Sequence, residues 1–154
     1  MPNWCWNEVQ IIGNNNVIDR LKQAVKSDRN CFDFNKVIPY PEEYRNNGGY
    51  QWCIDNWGTK WEANEPVVKR SYDGTMYAMF STAWSPSIPV TAKLAEIFPE
   101  LHFEHCYEEG GNDFSGVATF IDGECIGSLE GTYDEYPLSE HEPNDEEEDE
   151  NETI

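Results

Sequence analysis

Positive charge is scarce in this chain. Ten Lys and Arg stand against thirty Asp and Glu, and the formal net charge is −20. Nine of the acids lie after Tyr136, where there is no Lys or Arg, so the body keeps 21 acids against ten bases, a net of −11. A body this negative repels phosphate backbones, whose binding rests on neutralisation by Lys and Arg. Direct nucleic-acid binding and attachment to anionic membranes are therefore not expected. A host protein with a basic surface is the natural partner. Long apolar runs are missing too, and nothing approaches the roughly 18 residues that a membrane-spanning helix needs. No basic stretch leads into an apolar one near Met1, so no secretory signal is expected and the expected location is the host-cell cytoplasm.

Catalytic and metal-binding signatures are also lacking. The five cysteines (Cys5, Cys31, Cys53, Cys106, Cys125) are odd in number and show no CxxC spacing, so they read as reduced, mostly buried thiols. Two of the three histidines sit in His102-Phe103-Glu104-His105-Cys106. On a strand, residues 102 and 105 point to opposite faces, and neighbours such as His105 and Cys106 point apart. That excludes a dyad, and no second ligand cluster exists for a metal. The acidic loop Glu108–Asp113 lacks the calcium-loop pattern. There is no G-x-S-x-G, no P-loop and no H-E-x-x-H. The chain reads as non-enzymatic, with neither metal nor cofactor.

Tryptophan, in contrast, is plentiful and clustered. Five of the six lie in Met1-Pro2-Asn3-Trp4-Cys5-Trp6-Asn7, Asn56-Trp57-Gly58-Thr59-Lys60-Trp61 and Thr82-Ala83-Trp84-Ser85-Pro86. Each ring normally buries roughly 150–250 Å². Their placement beside Asn, Thr, Lys and Ser predicts that the three segments meet at one aromatic-walled locus. Its candidate binding residues are Asn3, Trp4, Asn56, Trp57, Thr59, Lys60, Trp61, Trp84 and Ser85. A purely structural cluster, with the rings packed over sheet and insertion, explains the same pattern. Lys60 reads either as a cation–π or anion contact or as a solvated lysine lying over aromatic surface.

These motifs, with Phe32-Asp33-Phe34-Asn35-Lys36-Val37-Ile38-Pro39-Tyr40-Pro41-Glu42-Glu43, Tyr107-Glu108-Glu109-Gly110 and Phe114-Ser115-Gly116, resemble the YubB ferredoxin-like domain family. Its members are small proteins of plasmids, phages and integrated islands, grouped as a domain of unknown function. The resemblance runs over about residues 1–131. It implies a ferredoxin-like fold and a mobile-element origin, and supplies no catalytic residue.

Residue patterns outline the same α+β architecture. Alternation over 5–13 predicts a strand. Val17, Ile18, Leu21, Ala24 and Val25 make one face of a helix at 16–27, capped from Asn14–Asn16. A short extended piece is expected at Phe32–Ile38 and an insertion at 42–66. Within the insertion, a two-turn helix over Tyr50–Trp57 is stopped by Gly58. Val67–Tyr72 and Thr75–Thr82 form a hairpin across a type I′ Asp73-Gly74 turn. A helix over 89–98, a strand over Leu101–Glu108 and a hairpin of Phe114–Ile121 with Glu124–Leu129 complete a ferredoxin-like split βαβ pattern. It carries an inserted Trp-rich segment and an extra C-terminal hairpin, within a domain of residues 1–136. The acidic segment 137–154 cannot bury enough apolar surface and is expected to be disordered.

Two functions fit. One is an accessory protein of a mobile element that binds a basic host protein as a nucleic-acid mimic, blocking a defence or nucleic-acid-handling complex. The alternative is a module that takes a nucleotide-like small molecule at the Trp-lined locus. Oligomeric state is not legible.

Overall fold

A computed structural model describes residues 2–44, 48–138 and, as backbone, 147–149. Asn14 opens the first helix as expected: its side chain accepts from the N–H of Asn16 and Val17, satisfying donors that a helix start leaves free. This helix, α1 (Asn15–Val25), follows strand β1 (Trp4–Ile12) and buries Ile18, Leu21 and Val25. Next come α2 (Phe34–Val37), a 3-10 turn at Glu42–Tyr44 and α3 (Tyr50–Trp57), then β2 (Asn64–Ser71), β3 (Met76–Ala83), α4 (Ile88–Ile97), β4 (His102–Glu109), β5 (Phe114–Ile121), β6 (Glu124–Gly131) and β7 (Glu147–Asp149).

The strands form one antiparallel sheet in the order β6-β5-β4-β1-β3-β2-β7. Its middle, β4-β1-β3-β2, is what two interleaved βαβ units produce, so the fold is ferredoxin-like. β5 and β6 extend that sheet on one side. Every described helix packs on one face. Val9 and Ile11 of β1, Ala78 and Phe80 of β3, Phe103 of β4 and Phe120 of β5 meet Leu21, Phe34, Trp57 and Leu94 there. Aromatic packing ties the insertion in: Phe80 stacks on Phe32 at 5.3 Å and meets Phe34 edge-on at 5.5 Å, and Phe34 meets Trp57 at 5.7 Å.

Two expectations need correction. Phe32–Ile38 is not extended but contains α2. Asp33 caps it locally by accepting from Asn35 N–H, and Glu62, distant in sequence, accepts from the N–H of Phe34 and Asn35. Two carboxylates thus nucleate a helix that pattern alone makes too short to see. The Asp73-Gly74 loop is not type I′, because only Gly74 has positive φ (+92°). Asp73 instead accepts from Thr75 N–H and from the Ser71 hydroxyl across a longer loop. The Asp122-Gly123 turn does have both residues at positive φ, 54° and 82°.

The tail falls mostly outside the described residues. The expected disorder of 137–154 lies outside the described residues over 139–146 and 150–154. At β7, however, the backbone pairs with β2, setting Asp149 opposite Lys69 and Glu148 opposite Arg70. Among the described residues no helix is long and apolar enough to cross a membrane.

Candidate functional site

The three tryptophan motifs do meet. Trp84 N–H donates to the Asn3 carbonyl at 2.8 Å, joining the third motif to the first. The Thr59 hydroxyl donates to Ala83 O at 2.8 Å and the Ser85 hydroxyl to Gly58 O at 2.6 Å, joining the second to the third. Trp4 and Trp61 close the triangle with ring centroids 6.3 Å apart. Gly58 makes this approach possible. It ends α3 in the left-handed region at φ +83°, where glycine costs least, and its backbone lies against Pro86 and Pro89.

Not every candidate plays its expected part. Asn56 donates its side-chain amide to Trp52 O within its own helix, and Asn3 bonds the adjoining segment through its backbone carbonyl. Trp57 is buried in the core, where its indole N–H donates to Ile38 O at 2.9 Å. Trp84 is 43% exposed. It sits at φ +71°, a rare and costly conformation for a bulky side chain, with Ser85 N–H bonded back to Ala83 O. The structure thus holds a strained backbone that turns a tryptophan toward solvent. Trp84→Ala should accordingly cost no more than about 1–1.5 kcal/mol in a denaturant titration, well short of the roughly 3–5 kcal/mol of a core tryptophan.

A buried polar chain underlies the knot. Both ring nitrogens of His105 are engaged, Nδ1 with the Thr91 hydroxyl and Nε2 with Asn7 Oδ1, each at 2.8 Å. Asn7 Nδ2 donates to Thr82 Oγ1 at 2.9 Å, and Thr82 donates to Ser85 O at 2.6 Å. Because Asn7 Oδ1 only accepts, Nε2 carries the proton and Nδ1 accepts from Thr91. Burial holds the His105 pKa down at about 3, so the ring is neutral. Burial pushes the Cys5 and Cys106 thiols up to about 12, away from the nucleophilic thiolate. Among the described residues no three His, Cys, Asp or Glu side chains gather as a metal site would require.

Beside the knot lies a cavity of about 790 Å³, between the α1–α2 loop, α2, α3 and residues 60–62. Of the nine candidate residues, Trp57, Lys60 and Trp61 line it. Lys60 Nζ lies 4.7 Å from the Tyr50 ring centroid and 5.0 Å from that of Trp61. The cation thus sits between a tyrosine and a tryptophan. Sequence reasoning missed Arg29, Asp33, Lys36, Tyr40, Tyr50 and Glu62 as lining. At the floor, Glu62 is hydrogen-bonded to Asp33, and its carboxyl also accepts from the N–H of Phe34, Asn35 and Ala63 at 2.8, 3.0 and 3.2 Å. Burial first, then the bond to Asp33 and its charge, raise the Glu62 pKa to about 8, so Glu62 keeps its proton at neutral pH. No spacing rule links residues 33 and 62; the one signal was Asp33 inside the Phe-Asp-Phe-Asn run.

Comparison with solved structures gives a protein api92 from Yersinia pseudotuberculosis. The TM-score is 0.71 over 90% of this chain and all of that one, at 12% sequence identity. That likeness shows the fold. A search of curated proteins finds no match. Residues 56–154 match the family model described as the ferredoxin-like domain in Api92-like protein. That span holds the second and third tryptophan motifs, α4 and six of the seven strands, all but β1. The chain therefore belongs to the family of ferredoxin-like domains found in Api92-like proteins.

Proposed function

We propose that this chain is a non-catalytic accessory protein of a mobile element that binds a basic host protein inside the host cell. The observation that carries the reading is an exposed aromatic patch at one end of the sheet. Trp6, Trp84 and Trp61 are 53%, 43% and 37% exposed. They surround the knot, and Trp4 shares its strand face with Trp6. No described helix packs on that face. Glu108 stands opposite Trp6 and Glu104 opposite Gln10 in the β1–β4 register, so carboxylates border the patch. Tryptophans ringed by charge are how a protein interface concentrates its affinity. A body of net −11 adds attraction for a basic cleft that normally receives nucleic acid. The Trp motifs' resemblance to proteins of mobile elements supplies the setting. The engaged His105 and the protonated thiols support the non-catalytic part.

The test is affinity purification of the tagged protein from plasmid- or phage-bearing cells, with wild type and Trp84→Ala side by side. The expected result is a stoichiometric basic partner at low salt, depleted as salt rises and at least tenfold weaker with Trp84→Ala. Recovery of no such partner, or of one indifferent to both salt and Trp84, would refute the reading.

A further inference from the structure

The cavity has a charge pattern at odds with the rest of the molecule. The chain has thirty acids to ten bases. Arg20, Arg70 and Lys93 are paired with Glu100, Asp19 and Glu96. Arg29, Lys36 and Lys60 make no ion pair among the described residues, yet all three line this one cavity. Lys26 stands in the hollow next to it, which shares Ser27, Asp28 and Lys36 with it.

The lining also carries four acids, Asp28, Asp33, Glu42 and Glu62. Asp33 and Glu62 are turned to one another and to the backbone of α2. With Glu62 protonated at neutral pH, three formal negative charges face the three bases. The cavity is therefore close to neutral within a chain of −20. That makes it a local departure in a protein whose overall field repels anions.

The walls add a second requirement. Tyr50 and Trp61 present ring faces to the interior, about half and a third exposed, with Lys60 Nζ over both. Held by rings rather than by a carboxylate, this ammonium has no ion pair to break when an anion arrives. A volume of about 790 Å³ lies within the range of roughly 300–1,000 Å³ in which small-molecule sites fall.

We infer that this cavity binds a small molecule combining a planar ring with an anionic group, the ring against Tyr50 and Trp61 and the anion held by Arg29, Lys36 and Lys60. The site is formed by the insertion, α2 and the α1–α2 loop. It shares Trp61 with the proposed partner surface, while Arg29, Lys36, Tyr50 and Lys60 belong to the cavity alone.

Isothermal titration of the full chain with phenyl phosphate, phenol and inorganic phosphate, and with AMP and adenosine, tests the inference. Phenyl phosphate and AMP should bind at least tenfold more tightly than phenol, inorganic phosphate or adenosine. Arg29→Ala and Lys36→Ala alter exposed side chains, so they keep the fold, and each should weaken AMP about tenfold. Trp61→Ala should weaken phenyl phosphate and AMP but leave inorganic phosphate unchanged. Trp84→Ala, outside the cavity, should change none of these affinities. Absence of binding by every probe at millimolar concentration would overturn the inference, as would AMP binding that survives the Arg29→Ala/Lys36→Ala pair. Equal binding of adenosine and AMP would remove the anion from it and overturn it as stated.

Discussion

Asn7→Ala should destabilise the domain by about 3–5 kcal/mol, enough to unfold a marginally stable protein. Asn7 is the middle of a chain of hydrogen bonds from Thr91 on α4 through His105 on β4 to Thr82 on β3 and the carbonyl of Ser85. Its removal leaves His105 Nε2–H without an acceptor and Thr82 without a donor, both fully buried. Each orphaned group costs about 1–3 kcal/mol, and the lost side-chain volume adds to it. Urea denaturation monitored by tryptophan fluorescence gives the value. The double variant with His105→Leu should lose less than the sum of the single losses, because the two residues share one bond.

The same chain sets a pH dependence. His105 titrates near 3 when folded and near its ordinary 6.5 when unfolded, so the unfolded chain takes up the proton first. Stability from this group is complete above pH 6.5 and is lost as pH falls toward 3. Glu62 works in the opposite sense. Its folded value of about 8 lies above its ordinary 4.5, so its contribution is complete below 4.5 and is lost as pH rises through 8. Each limb has a slope of up to about 1.4 kcal/mol per pH unit. Between 4.5 and 6.5 the two cancel, and maximal stability falls in that window. Melting temperatures across pH 3–9 should show both limbs, and Glu62→Gln should flatten the alkaline one.

Gly58→Ala should cost about 2–4 kcal/mol. A Cβ there would lie 2.5 Å from Pro89 Cδ and 2.9 Å from Pro86 O, and the backbone is held at φ +83°. The left-handed conformation accounts for about 1 kcal/mol and overpacking for about 1–3 more. Since Pro86 ends the third tryptophan motif and Pro89 follows it, the clash should push that motif from the second. A loss of stability accompanied by a shift in tryptophan emission is the expected result. An unchanged melting temperature would mean that the two motifs are not locked here.

What was legible in the sequence was local. Asn14 announced α1, and Gly58 ended α3 at the residue where the pattern stopped. Asp122-Gly123 marked its turn because two consecutive left-handed residues leave few alternatives. The meeting of the tryptophan motifs was also readable, since clustered rings must bury against something. The site was less so. Trp57 was expected as a wall and serves largely as core. The carboxyl pair, Arg29, Lys36 and Tyr50 come together only through packing between segments far apart in the chain. α2 escaped notice because half of its capping arrives from Glu62. β7 escaped because it pairs with a strand some eighty residues earlier in the chain, which hydropathy alone does not register.

The position of β7 also bears on stoichiometry. A sheet with two bare edges can recruit copies of itself at both ends and grow without limit. Here β7, three residues long, covers β2 only over Lys69–Ser71, so among the described residues the two outer strands are the eight-residue β6 and the short β7. The two edges are therefore unequal templates: β6 offers the longer row of backbone donors and acceptors, and pairing β6 to β6 would leave only the short β7 edge for further growth.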